Sequence, residues 1–146
     1  MTGVNHALTG AAIGATIGHP ILALPIAFVS HFILDALPHF GQDYEKRTTI
    51  FKVVVSFDVL LITTLFGYLV GQAQWLALAA AILAMSPDFP WIYRFTIVEK
   101  FGSLPKHPLN KFNQFHVDIQ KLESRAGVAV DALWFVSFVY ILSRIL

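Results

Sequence analysis

His31, Asp35 and His39 recur every fourth residue in the segment SHFILDALPHF (30–40), so one helix would stack imidazole, carboxylate and imidazole along a single face. They stand in an apolar run, where ionisable groups are costly and need a partner. A metal ion satisfies two imidazoles and a carboxylate together, so metal binding is the predicted chemistry. Other ligand-type residues punctuate the chain: His6, Asp58, Asp88 in Ser86-Pro87-Asp88, and His116. The elements that carry these side chains decide whether they meet.

The composition restricts those elements. The 146 residues fit one domain; 56% are hydrophobic, 13% are charged and the mean hydropathy is +0.66. Soluble domains carry about a quarter charged residues, and so small a domain has little interior in which to hide apolar surface. An integral membrane protein is predicted over an unusually hydrophobic soluble bundle. No cysteine is present, which excludes thiolate metal sites, disulfides and cysteine nucleophiles. The start, MTGVNHALTG, has no basic stretch before its apolar run and does not read as a cleaved signal.

Five apolar segments lack β-type alternation, so the expected class is all-α: a compact membrane bundle of about five apolar helices forming one domain over 1–146. They run from about Asn5 to Ile17, Ile21 to Leu37, Thr48 to Val70, Gln74 to Met85 and Ala126 to Leu146. Gly18-His19-Pro20 makes the first turn, with glycine after one helix and proline opening the next. The first, second and fourth segments are short for a bilayer core of about 30 Å. Gly10, Gly14 and Gly18 beside Ala7, Ala11 and Ala15 form a small-residue row suited to close helix packing. The polar stretch Ser86–Arg125 separates the last two segments; it should hold an amphipathic interfacial helix from about Leu109 to Leu122, with Phe112, Phe115 and Ile119 on its apolar side.

Alternating helices bring the Asp43–Thr48 loop and the Ser86–Arg125 stretch to one face. That face holds Lys46, Arg47, Lys52, Arg94, Lys100, Lys106, Lys111, Lys121 and Arg125, nine of the ten basic residues, against Arg144 at the other. The positive-inside rule makes it the cytoplasmic face of a plasma or inner membrane. Seven ligand-type residues converge there: His6, His31, Asp35, His39, Asp58, Asp88 and His116. One catalytic zinc takes about three protein ligands and a water, so this set is large enough for two ions sharing a bridging carboxylate about 3.5–4 Å apart. Nitrogen and oxygen donors suit zinc, manganese or iron, with zinc the default. Each residue also has a plainer use. His6 could bond another helix, Asp58 could pair with a lysine, Asp88 could cap the next segment, and His116 could be an interfacial polar residue. Asp118 and Asp131 read as structural, and His19 and His107 as bystanders.

Together, Asn5-His6 before a small-residue helix, the block His31-x3-Asp35-x2-Pro38-His39, the pair Pro87-Asp88 and the later His116 resemble the small membrane-bound metal-dependent hydrolases. The His31-x3-Asp35 pair with a further histidine is also similar to the zinc-dependent phospholipase C and single-strand nuclease superfamily, all-helical proteins that hydrolyse phosphoesters with a zinc cluster. Many of the membrane hydrolases carry a Pro-Asp-x-Asp-His type block and a late His-Arg-x-x-Thr-His block. Here the first reads Asp35-Ala36-Leu37-Pro38-His39 and the second at best Phe115-His116-Val117-Asp118, with no adjacent arginine. Arg94 or Lys106 is then the candidate phosphate-binding group.

The resemblance implies a membrane-embedded hydrolase of a phosphoester or lipid-like substrate, working through metal-activated water. Asp35, as bridging carboxylate, with Asp58 and His116 would serve the reaction. The alternative is a small transport or ion-path protein with intramembrane His and Asp residues. The bilayer and a small-molecule or lipid substrate are the expected partners. Nucleic acid is not, because the basic residues flank a membrane where anionic lipid is nearer.

Overall fold

The computed structural model describes residues 1–41, 49–93 and 109–146. Among these residues the chain is all-helical with no strand. The order is α1 (Gly3–Ile17), α2 (Pro20–Asp35), α3 (Thr49–Gly71), α4 (Trp75–Met85), a 3-10 turn (Ser86–Asp88), α5 (Phe89–Tyr93), α6 (Lys111–Ile119) and α7 (Gly127–Ile145).

The short helix α1 forms the centre and packs on α4, α2, α7 and α3. The small-residue row explains how. A Cβ on Gly10 would lie 2.5 Å from the Ala80 carbonyl oxygen, and one on Gly14 would lie 2.7 Å from Ala77 Cα. Opposite them α4 presents Ala77, Ala80, Ala81 and Ala84, all buried. Where these glycines meet the alanines, the two helices approach closely enough for dispersion contact along the backbone. Gly18, at φ 65, closes α1 in the left-handed conformation, and Pro20 opens α2.

Three stretches, Lys52–Gly71, Trp75–Tyr93 and Gly127–Ile145, are long and apolar enough to cross a membrane. The outer faces of α3 and α7 bear exposed Val53, Phe57, Leu60, Leu133 and Val136, compatible with a lipid-facing surface. The expectation of about five apolar helices exceeds this. With 15 residues in α1 and 16 in α2, each rises only about 22–24 Å, short of the bilayer core.

Two boundaries differ from the sequence reading. The fourth segment does not stop at Met85. Pro87 cannot offer the N–H that would continue the ladder to Leu83, and Ser86 covers that carbonyl with its own N–H and with Oγ at 2.8 Å. The helix tightens through a 3-10 turn and goes on to Tyr93. The second segment ends at Asp35 rather than Leu37, because Pro38 disfavours helical geometry at the residue before it. His39 therefore leaves the face that His31 and Asp35 share. The interfacial helix is shorter than expected, starting from the Asn110 cap, whose side chain accepts from the Asn113 N–H at 2.8 Å.

Candidate metal centre

His31 and Asp35 lie one turn apart on the buried side of α2, and two further groups reach them. Asp88 arrives from the 3-10 turn after α4, and His116 from the buried side of α6. One ligand atom from each of these four residues lies within 4.8 Å of all the others. His31 Nε2 is 3.1 Å from both Asp35 Oδ2 and His116 Nε2. His116 Nε2 is 2.7 Å from Asp35 Oδ2, and Asp88 Oδ1 is 3.7 Å from both imidazole nitrogens. Tetrahedral ligands at 2.0–2.2 Å from zinc stand about 3.3–3.6 Å apart, so these spacings fit the edges of a first coordination sphere. The donor set of two imidazoles and two carboxylates suits a divalent transition metal. His31, Asp35, Asp88 and His116 could hold a metal ion.

The surroundings orient these ligands. His31 Nδ1 donates to the Ala84 carbonyl at 2.8 Å, which fixes its ring proton there and turns the Nε2 lone pair toward the cluster. Gln120, at the C-terminal end of α6, donates from Nε2 to Asp35 Oδ2 at 3.0 Å. Trp91 on α5 donates its indole N–H to His116 Nδ1 at 3.2 Å. Phe32 packs edge-on against the His31 and His116 rings, closing the apolar side. Asp88, with its side chain about a third exposed, forms the open edge.

Asp35 also has a second side. Its Oδ1 lies 3.0 Å from His6 Nε2 and 2.5 Å from the Met1 amino nitrogen. His6 stacks on His31 with ring centroids 4.0 Å apart, is wholly buried, and makes no hydrogen bond from either ring nitrogen. A buried imidazole whose Nδ1 has no partner and whose Nε2 meets Asp35 only out of hydrogen-bond alignment costs free energy.

Two of the seven expected ligands are engaged elsewhere. Asp58 accepts from the backbone N–H groups of Gly3 at 3.0 Å and Val4 at 2.7 Å. It caps the buried N-terminus of α1, whose own cap residue Thr2 makes no side-chain cap bond. His39, displaced by the helix end at Asp35, bonds the Leu37 carbonyl through Nδ1 and stands 3.5 Å from Glu123 Oε1. Its backbone is pinned to the start of α7: Ser124 N–H donates to His39 O at 3.0 Å, and a Cβ on Gly127 would overlap that carbonyl. Asp131 is structural, accepting from Thr2 N, Asn5 Nδ2 and Phe40 N at 3.2, 2.9 and 2.7 Å. Asp118 bonds exposed Gln114, and His19 is exposed. Arg94, Lys106 and His107 lie outside the described residues.

Gln120 and Trp91 escaped the sequence reading. Gln120 was legible as the residue four after His116 on the same helix face. Trp91 reads from the sequence as a residue for the membrane interface rather than the site; in the continuing helix it follows Asp88 by three positions.

No family model matches this chain, and no curated protein or solved structure matches it.

Proposed function

We propose that this chain is an integral-membrane metal-dependent hydrolase that cleaves a phosphoester or lipid-like substrate at the cytoplasmic face. The observation that carries the reading is the convergence of His31, Asp35, Asp88 and His116 at coordination-sphere spacing inside an apolar helical chain. In this reading all five apolar helices lie in the bilayer region, α6 rides at the interface, and the basic loops mark the cytoplasmic side. Zinc is the ion we favour, from the donor set alone. A bound divalent ion supplies Lewis-acid polarisation of a phosphoryl oxygen and lowers the pKa of water.

The chain's own residues would divide the remaining work. His31 and His116 present nitrogen donors, Asp88 lies on the accessible side, and Gln120 holds Asp35 in place. On its other side Asp35 meets His6 and the Met1 ammonium, so Asp35 and His6 would be the residues to hold a second ion in exchange for that ammonium, and a second ion would supply a further Lewis acid. The resemblance to membrane-bound hydrolases and, more distantly, to the phospholipase C and nuclease superfamily supports the reaction class.

An ion path is the weaker reading. The buried polar side chains among the described residues fall in the first half of α1, the second half of α2, the segment after it, α6 and the start of α7. That one-sided distribution supports a dead-end pocket. The test is elemental analysis of protein purified in mild detergent without chelators, followed by phosphate release from phosphoester substrates. One or two equivalents of transition metal, lost in His31→Ala together with hydrolysis, is the expected result. Metal-free wild-type protein overturns the proposal.

A further inference from the structure

The two imidazoles of the metal centre are held in opposite tautomers. His31 Nδ1 faces the Ala84 carbonyl, an acceptor only, so Nδ1 carries a proton, and the neutral ring then keeps its lone pair on Nε2, 3.1 Å from Asp35 Oδ2. His116 Nδ1 faces the Trp91 indole N–H, a donor only, at 3.2 Å. Nδ1 of His116 must therefore accept, which leaves the proton of the neutral ring on Nε2. That proton points into the cluster, where Asp35 Oδ2 at 2.7 Å and the His31 Nε2 lone pair at 3.1 Å both receive it. Gln120 Nε2, 3.3 Å from the same nitrogen, places its hydrogen bond on Asp35 instead. One imidazole is ready to ligate and the other carries a proton where the cation would go.

We propose that Trp91 is a positioning residue for the metal centre: its hydrogen bond holds His116 in the tautomer that cannot ligate, so an ion enters only by making Trp91 let go. This rests on the metal-site reading and goes beyond it. Ligation through Nε2 needs the lone pair there, so the ring loses a proton from Nε2 and gains one at Nδ1, remaining neutral overall. The indole N–H and the new Nδ1–H would then face each other, and the indole must move. Selectivity follows. Zinc or manganese, which bond imidazole nitrogen, can drive the exchange; magnesium and calcium, which prefer oxygen, gain too little from His116 to do so. Because only the competent tautomer binds, freeing His116 raises the apparent affinity by the inverse of that tautomer's population.

The experiment uses the full chain in detergent, depleted of metal by a chelator that is then removed, with histidine and tryptophan labelled by nitrogen-15. In metal-free wild type, the spectrum should show His31 protonated at Nδ1 and His116 at Nε2. Zinc should move the His116 proton to Nδ1 and shift the Trp91 indole N–H. Trp91→Phe should bring His116 toward the Nδ1–H form without metal and bind zinc about 10-fold more tightly. Mere structural damage would weaken binding instead. Metal-free wild type with His116 already protonated at Nδ1 overturns the proposal, as does Trp91→Phe with unchanged or weaker zinc affinity; either leaves the metal site itself standing. Failure of wild type to bind any transition metal removes both. The wild-type spectra decide the matter even if Trp91→Phe does not fold.

Discussion

Asp35 and Asp58 are the same residue type, each inside an apolar helix, and they have opposite partners. Asp58 receives two backbone N–H groups from the start of α1, which have no acceptor of their own, so the carboxylate and the helix end satisfy each other. Asp35 is ringed by three imidazoles, only some of whose nitrogens can donate at once. On its Oδ1 side the Met1 ammonium supplies a counter-charge. On its Oδ2 side two imidazole nitrogens and the Asp88 carboxylate converge, a donor set that suits a divalent cation better than a hydrogen bond. A buried acid in an apolar helix is thus not in itself a functional signal. The nature of its partners decides.

The strongest way to break this contrast is Asp35→Asn. It keeps the shape, removes the charge, and should weaken metal binding by about 100-fold, because Asp35 Oδ2 lies within 3.1 Å of both imidazole nitrogens of the cluster. Metal retained at wild-type stoichiometry by elemental analysis would show that Asp35 is no more a ligand than Asp58 is. Next in size is Gln120→Leu, which removes the donor that orients Asp35 Oδ2 while leaving the four ligands intact. A loss of about 10-fold in zinc affinity is expected, measured by competition with a chromogenic chelator. An unchanged affinity would mean that helix packing alone orients the carboxylate.

How much of this was legible follows the range of the forces involved. The i,i+4 relation of His31 and Asp35 is local, and the sequence carries it openly. So are the apolar lengths of α3 and α7 and the glycine–proline turn after α1. The convergence of Asp88 and His116 on α2 needed only a topology, which the alternation of the apolar segments suggested. What failed was set by single backbone atoms. Pro38 ends α2 before His39 can join the stripe, and Pro87 tightens α4 instead of ending it. Asp58 misled because a helix N-terminus is invisible as a ligand: its donors belong to the backbone of Gly3 and Val4, which no side-chain pattern encodes.

Asp58→Asn tests the other half of the contrast. The amide keeps one acceptor oxygen but brings donors toward N–H groups that are donors themselves. Stability should fall by about 1–3 kcal/mol, read as a lower unfolding midpoint in detergent, with metal content unchanged. A parallel loss of metal from a folded Asp58→Asn protein would return Asp58 to the site and erase the distinction between cap and ligand.

His39→Gln should have the smallest effect and gives the sharpest discrimination. By spacing alone His39 is as good a candidate as His31; by structure its Nδ1 is committed to the Leu37 carbonyl and its Nε2 stands near Glu123. Glutamine can reproduce the bond to a carbonyl but not the ring packing, so a stability loss of about 1 kcal/mol and no change in zinc affinity are expected. His31→Gln, made alongside, loses an imidazole whose Nε2 lone pair no amide on the same helix turn replaces, and should lose the metal. If both variants lost it equally, the one-helix stripe that the sequence suggests would be the functional unit, and the helix end at Asp35 would not separate ligand from bystander.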